Sequence, residues 1–470
     1  MTDDSVAEKL NKLVEKEKDE LINSTQVLVM IKSVNGQPKP DAPFGEGPAQ
    51  ALDKALEIAG NLGFNTTNLD GYIGYAEYGQ GTDYVGVLAH VDVVPEGEGW
   101  KYPPYGAEIH DGRMYGRGTI DDKGPAIAAL YALKAVRDSD LPITKRVRII
   151  FGSDEETGVA DVEHYLERET PPVSGFTPDA NFPAIYAEKG ILTFDLAKDL
   201  AIGPSGMKIA SIQGGTAYNI VPDKAAAEIY TSDPDQIVTA CRDFANETGY
   251  NLTAEVTNGM VSVRSVGQAA HGSVPYKGKN AVMQLLAFLG TLDLSGSDIG
   301  DAIDFLDAKV DMETDGKSFG LAMEDEPSGN LTLNVGMVNA TERRIVLALN
   351  IRYPVTYSFE DVMGRFNQTI EGTGFKVENM QQNLKPLYYP KDSPLIKTLT
   401  EVYAKETGRN DSPIAIGGGT YAKDMPNIVA SGPMMPEEEE VEHQPNEYIA
   451  IDHLVNITKI YAQDIYELAK

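Results

Sequence analysis

The sequence predicts an α/β protein with a mainly parallel sheet, interrupted by an inserted α+β segment, on three observations. Apolar strand-like runs alternate with helical stretches between Val85 and Leu166, the pattern of a sheet covered by helices. After about Lys189 the texture changes to long β-rich stretches, and after about Leu384 the first texture returns. A chain of 470 residues also exceeds one ordinary hydrophobic core, so a first domain of 1–188 and 385–470 around an insertion at 189–384 is the expected organisation.

Residues 4 to about 33 carry helical spacing with mixed charge, and Pro48 to Leu62 form a second helix with Ala51, Leu52, Ala55, Ile58 and Ala59 apolar. Val85 to Val94 reads as a buried strand. Pro125 to Val136 follows as a helix with proline in its first turn, where the missing N–H does no harm, and Ala126 to Ala135 is apolar nearly all round. Such a helix must be covered on more than one side. Arg146 to Phe151 is the next strand and Val159 to Leu166 the next helix. Within the insertion, Asn330 to Val335 and Arg344 to Arg352 read as strands, and Ala281 to Leu289 and Phe359 to Phe366 as helices. The closing part offers a helix at Pro394 to Thr407, a glycine-rich turn, a short strand at Asn427 to Ser431 and a final helix from about Asn446.

Composition limits the function. Lys plus Arg number 40 against 71 Asp plus Glu, a net charge of −31, which repels phosphate backbones and anionic lipid surfaces. Nucleic-acid and membrane partners are therefore not expected. The N-terminus, Met-Thr-Asp-Asp-Ser-Val, lacks a basic and an apolar signal region, no apolar run is long enough to span a bilayer, and the single Cys241 suits a reducing compartment. The expected location is the cytoplasm.

Three clusters carry chemistry, all at strand ends or the loops after them, where open α/β sheets place ligands. In His90-Val-Asp92 the two polar residues would share a strand face, so that the carboxylate could hold the outer ring N–H of a metal-binding imidazole. Alone, the same pair is more often a structural hydrogen bond. Asp121 and Asp122 precede the Pro125 helix, where an ordinary N-cap is the plain alternative. Ser153-Asp-Glu-Glu-Thr157 follows the Arg146 strand, and three adjacent acids repel unless cations share them. Asp179 and His443 complete the candidate ligands. Histidine nitrogens and carboxylates without thiols suit zinc, cobalt or manganese, and these carboxylates exceed what one tetrahedral ion needs. No His-Glu-x-x-His, Gly-x-Ser-x-Gly or P-loop pattern occurs. Gly417-Gly-Gly-Thr-Tyr421 is either a plain turn or a loop that lets a substrate approach the backbone.

The ordered set of His90-Val-Asp92, Gly118-Thr-Ile-Asp-Asp-Lys-Gly124, Asp154-Glu-Glu156, Asp179, Gly214-Gly-Thr-Ala-Tyr-Asn219, His271-Gly, Arg352 and His443 resembles the M20 metallopeptidases, most closely the PepV-type dipeptidases. The resemblance implies a zinc-peptidase-like catalytic domain formed by both ends of the chain, with the insertion as a lid. It implies two Zn2+ per chain, with Co2+ or Mn2+ possible: one ion on His90 and Asp179, the other on Glu156 and His443, and Asp121 bridging both. Asp92 would clamp His90, Glu155 would be the general base, and His271 in the lid would stabilise the oxyanion. The choice of Glu155 over Asp154 rests on the motif and not on spacing. A cis peptide between Asp121 and Asp122 is implied as well.

Asn219, Arg352, Gly418, Gly419 and Thr420 would contact the substrate, with the planar fork of Arg352 suited to a carboxylate. Five carboxylates against two dications leave the centre slightly anionic, which tolerates a substrate ammonium. A free amine and a free carboxylate together describe an unblocked dipeptide. The long lid is the kind that replaces a partner subunit, so a monomer is expected. The alternatives are an N-acyl-amino-acid deacylase or desuccinylase with the same metals, a non-catalytic metal or peptide binder, and a two-metal phosphoesterase, the last disfavoured by the anionic composition.

Overall fold

The computed structural model describes residues 3–201 and 206–470. The chain divides into two compact units, Met1–Tyr186 with Tyr389–Ile414 and Thr420–Lys470, and Ala187–Tyr388 with Ala415–Gly419.

The first unit is built on a six-stranded sheet in the order Asn65–Leu69, Ile73–Tyr78, Arg146–Gly152, Tyr84–His90, Ser174–Thr177, Ile428–Ala430. The two pairings at the Asn65 edge are antiparallel and the other three parallel, so the sheet is mixed with a parallel majority. Tyr84–His90 is buried along its whole length, as expected of a strand covered on both faces. The helix Lys123–Asp138 buries thirteen of its sixteen residues, enclosed by the closing helix Ile451–Ala469, the two N-terminal helices and the sheet. Alanines at 126, 128, 129, 132 and 135 let these neighbours approach closely, and each fully buried Leu or Ile among them contributes about 1.5–3 kcal/mol.

Three expected boundaries in this unit move by more than two residues. The stretch 4–33 is two helices, Asp3–Lys16 and Lys18–Val29. The strand expected to reach Val94 stops at His90, because Val91 N still bonds Gly152 O while Val93 N turns away to Ser33 O. The final helix starts at Ile451, since Tyr448–Ala450 is taken as a strand by Arg113–Tyr115.

The second unit carries an eight-stranded antiparallel sheet in the order Asn251–Thr257, Met260–Val266, Lys224–Tyr230, Lys208–Gly214, Thr332–Thr341, Arg344–Tyr353, Gly190–Asp199, Lys376–Leu384. Its core joins Leu333, Leu349, Ile351 and Tyr353 from the strands to Leu285, Leu289, Ile303 and Phe366 from the helices, with Cys241 buried among them. The residues alternating with those strand positions, Thr332, Asn334, Asn350 and Arg352, therefore lie on the opposite face. Among the described residues no helix is long and apolar enough to cross a membrane.

Candidate metal centre

Three neighbouring parallel strands deliver the site. Tyr84–His90 ends on His90, Arg146–Gly152 leads into the loop of Asp154, Glu155 and Glu156, and Ser174–Thr177 is followed by Asp179. His90 is in register with Gly152, and Val87 with Phe176, so the acids arrive at the same end of the sheet as the histidine. Asp121 comes from the turn before Lys123–Asp138, and His443 from the loop before Tyr448–Ala450.

These side chains converge within the first unit. His90 Nε2 lies 3.0 Å from Asp121 Oδ1 and 3.8 Å from Asp179 Oδ2. His443 Nε2 lies 2.9 Å from Asp121 Oδ2 and 3.2 Å from Glu156 Oε2. Asp121 thus stands between both imidazoles, one oxygen toward each. Ligand atoms of His90, Asp121 and Glu156 fall within 4.8 Å of one another, as do those of His90, Glu155 and Asp179. The peptide between Asp121 and Asp122 is cis.

The electrostatics calls for cations. Burial, and after it the neighbouring charges of Asp121 and others, push the carboxyls of Glu155, Asp179 and Glu156 above the ordinary carboxylate range. Burial works against charge on His90 as well, yet Asp121, Asp92 and Asp179 outweigh it and hold that imidazole well above its usual pKa. Buried His90 Nε2 and Glu156 Oε1 have no aligned hydrogen-bond partner, which is costly unless another species completes them. Oxygen-rich donors with two imidazoles, two overlapping groups and orphaned donor atoms fit divalent cations of the zinc, cobalt or manganese kind.

The support of His90 differs from expectation. Asp92 stands beyond the strand end, and the closest partner of His90 Nδ1 is the main-chain oxygen of Asp92 at 3.1 Å, its carboxylate Oδ1 being 3.5 Å away. The Asp92 carboxylate instead accepts the N–H groups of Glu155 and Glu156 at 3.2 and 3.1 Å. One residue therefore orients the imidazole through its carbonyl and anchors the acidic loop through its side chain. Asp122 occupies the N-cap position without a capping hydrogen bond. Its Oδ2 accepts His90 N–H at 3.1 Å. Asp154 turns into its own loop, accepting from Thr157 Oγ1, Asn35 Nδ2 and Ala160 N–H.

Two supports escaped the sequence reading. Glu447, fully buried, accepts the N–H groups of Gly118, Ile120 and Asp121 at 2.9, 3.0 and 3.3 Å and a 2.6 Å bond from Arg117. It shapes the turn that presents Asp121. Asp161 accepts from Ser153 N, Asp154 N and Tyr421 Oη, and the Tyr421 ring meets His90 edge-on at 6.1 Å. The only signal for Glu447 is its place four residues after the candidate ligand His443, because its partners lie more than 320 residues away.

Thr420 also lies in the first unit, where its hydroxyl accepts Ala422 N–H. The remaining candidates belong to the second unit. His271 Nδ1 is 2.7 Å from Ser273 Oγ and accepts Ser273 N–H at 3.3 Å. Gly272 N–H donates to Asn219 O at 2.7 Å, tying the two candidate segments together. Arg352 is buried and forms no salt bridge among the described residues. It donates from Nε to Asn350 Oδ1 at 2.9 Å and from Nη1 to Gly417 O at 3.0 Å, and burial pulls its pKa down to about 10. A Cβ on Gly417 would meet Ser273 Cβ at 2.9 Å, whereas at Gly418 the nearest atom is Ile416 Cδ1 at 3.7 Å. A cavity of about 800 Å3, walled in part by Lys189, Ser273, Thr332 and Gly417, adjoins the carbonyl that Arg352 holds.

Comparison with known proteins adds a family. Residues 86–467 match the profile described as "Peptidase family M20/M25/M40". The "Putative dipeptidase YtjP" of Bacillus subtilis (strain 168) is 42% identical over 461 residues, covering 97% of this chain and 98% of its own. A "Putative dipeptidase" of Staphylococcus epidermidis is 36% identical over 457 residues, 96% and 97% of the two chains. Among solved structures, human carnosine dipeptidase 1 superposes with a TM-score of 0.60 over 99% of both chains at 16% identity, a likeness of fold alone.

Proposed function

The chain belongs to peptidase family M20/M25/M40, and from that premise we propose that it is a two-metal dipeptidase acting on unblocked dipeptides with Glu155 as general base. The observation that carries the reading is the convergence of His90, Asp121, Glu155, Glu156, Asp179 and His443 at one end of the sheet. The relatives named as dipeptidases point to the same substrate class.

His90 and Asp179 would hold one zinc, Glu156 and His443 the other, with Asp121 shared. When bound, the ions supply Lewis acidity that polarises the scissile carbonyl and acidifies water. Glu155 takes a proton from the attacking water at a side-chain oxygen as the C–O bond forms to give a tetrahedral oxyanion, and returns it to the amine nitrogen as the C–N bond breaks. Ser273 N–H donates to His271 Nδ1, a contact matched by the tautomer whose ring proton is on Nε2. That tautomer donates to an oxyanion. Arg352, with no acid beside it, takes the substrate carboxylate in a bidentate fork. Asn219 adds a polar contact, and Gly418, Gly419 and Thr420 line the substrate path.

The test compares cleavage of a simple dipeptide with that of its N-acetylated twin on zinc-loaded protein. Rapid release from the free dipeptide alone is expected, and preference for the acetylated twin would move the chain to the deacylases. The long inserted unit and the lone buried cysteine support a cytoplasmic monomer. Gel filtration of the cytosolic fraction should then return a mass near 50.9 kDa, and elution at twice that mass would contradict it.

A further inference from the structure

Arg352 poses a question that its own role leaves open. A guanidinium 5% exposed with no carboxylate beside it among the described residues is expensive to maintain. Something must aim it without neutralising it. Asn350 is 0% exposed, sits two residues earlier on the same strand face, and accepts Arg352 Nε–H at 2.9 Å through its amide oxygen. Its Nδ2 has no hydrogen-bond partner among the described residues.

The strand register extends this contact. Asn350 is paired with Asn334, and Arg352 with Thr332, in the Thr332–Thr341 strand. Directly opposed residues of antiparallel strands share a face. Asn334, 2% exposed, donates from Nδ2 to Tyr218 O and Ile220 O, both at 3.0 Å. Those carbonyls flank Asn219, whose own carbonyl accepts Gly272 N–H. The 217–218 backbone comes so close to this strand that a Cβ on Gly336 would lie 2.4 Å from Ala217 O and from Tyr218 O. Asn334 Oδ1 and Asn350 Nδ2, an acceptor and a donor on paired residues, are both buried without partners.

We propose that Asn350 is a positioning residue that determines specificity: its amide oxygen aims the Arg352 guanidinium while leaving the positive charge uncompensated, so that the second unit selects ligands ending in a free carboxylate over their uncharged amides. The inference rests on the reading of Arg352 as the carboxylate clamp. Aspartate has the same size and could accept the same bond, but it would close a buried ion pair with Arg352 and repel an incoming carboxylate. Asparagine gives orientation without charge.

The experiment measures kcat and KM for a dipeptide and for its C-terminal amide on the wild type, Asn350→Asp and Asn350→Ala, with thermal melts to verify folding. The wild type should prefer the free carboxylate by roughly 10- to 100-fold, the range of a hydrogen-bonded charge. In Asn350→Asp that ratio should collapse toward one through a raised KM for the free dipeptide. In Asn350→Ala it should shrink by several-fold because the guanidinium loses its guide. If Asn350→Asp does not fold, Asn350→Ala decides by the same ratio. A ratio unchanged in the folded variants, or equal losses on both substrates, overturns the role of Asn350 while leaving the clamp intact. No preference in the wild type itself overturns the clamp, and with it the inference.

Discussion

Replacing Glu155 with glutamine is expected to lower kcat by roughly 10²- to 10⁴-fold, the usual contribution of a positioned general base, while KM and metal content stay close to wild type. Glutamine preserves volume but cannot accept a proton. The Glu155 side chain sits in a group with His90 and Asp179, and its N–H is anchored on Asp92. Metal analysis beside steady-state kinetics therefore separates two roles: a lost ion would make Glu155 a ligand, and an unchanged kcat would end its part in the chemistry. A pH profile carries the sign. The base works only when ionised, and burial, followed by the charges of Glu156, Asp121 and Asp92, raises its pKa whereas bound cations lower it. Wild-type kcat/KM should thus fall as pH drops through the Glu155 pKa. In Glu155→Gln the residual rate should lose that acid limb.

The parts of the site legible in the sequence are those whose chemistry is local. His90 and the Asp154 to Glu156 run announce themselves as polar residues at the ends of apolar strands, whereas Asp179 follows a short Ser-Gly-Phe-Thr strand that the sequence does not reveal. Supporting contacts are not local. Asp92 was placed on the strand by alternation, but the strand ends at His90, and the carboxylate serves the backbone of a loop more than 60 residues away. Glu447 and Asp161 act through main-chain N–H groups, which every residue possesses and which leave no trace in composition. The same holds for the fold. Pro394–Thr407 was readable end to end from its N-terminal proline and following glycine, whereas the start of the final helix was obscured by a strand pairing with Arg113–Tyr115. Long β stretches in the insertion were evident, but their order across eight strands depends on pairings between distant segments.

Asp121→Ala should be the more drastic change, abolishing measurable turnover and lowering zinc content below that of the wild type. A residue that merely orients a ligand is worth about 10- to 100-fold in metal affinity, and Asp121 stands a step closer. Its two oxygens face different histidines, 3.0 Å from His90 and 2.9 Å from His443, so one deletion strips both proposed ions of a shared ligand. The turn that carries it is fixed independently, because Glu447 holds the N–H groups of Gly118, Ile120 and Asp121. The variant should accordingly fold. Thermal melting with and without zinc makes this measurable, since a ligand that binds only the folded state at 100 times its Kd adds about 2.7 kcal/mol. The wild type should gain stability on loading, and Asp121→Ala should gain much less. Full zinc content with a wild-type thermal shift in the variant would remove Asp121 from the metal centre, whereas a variant that melts like metal-free wild type while binding little zinc assigns its role to holding the ions.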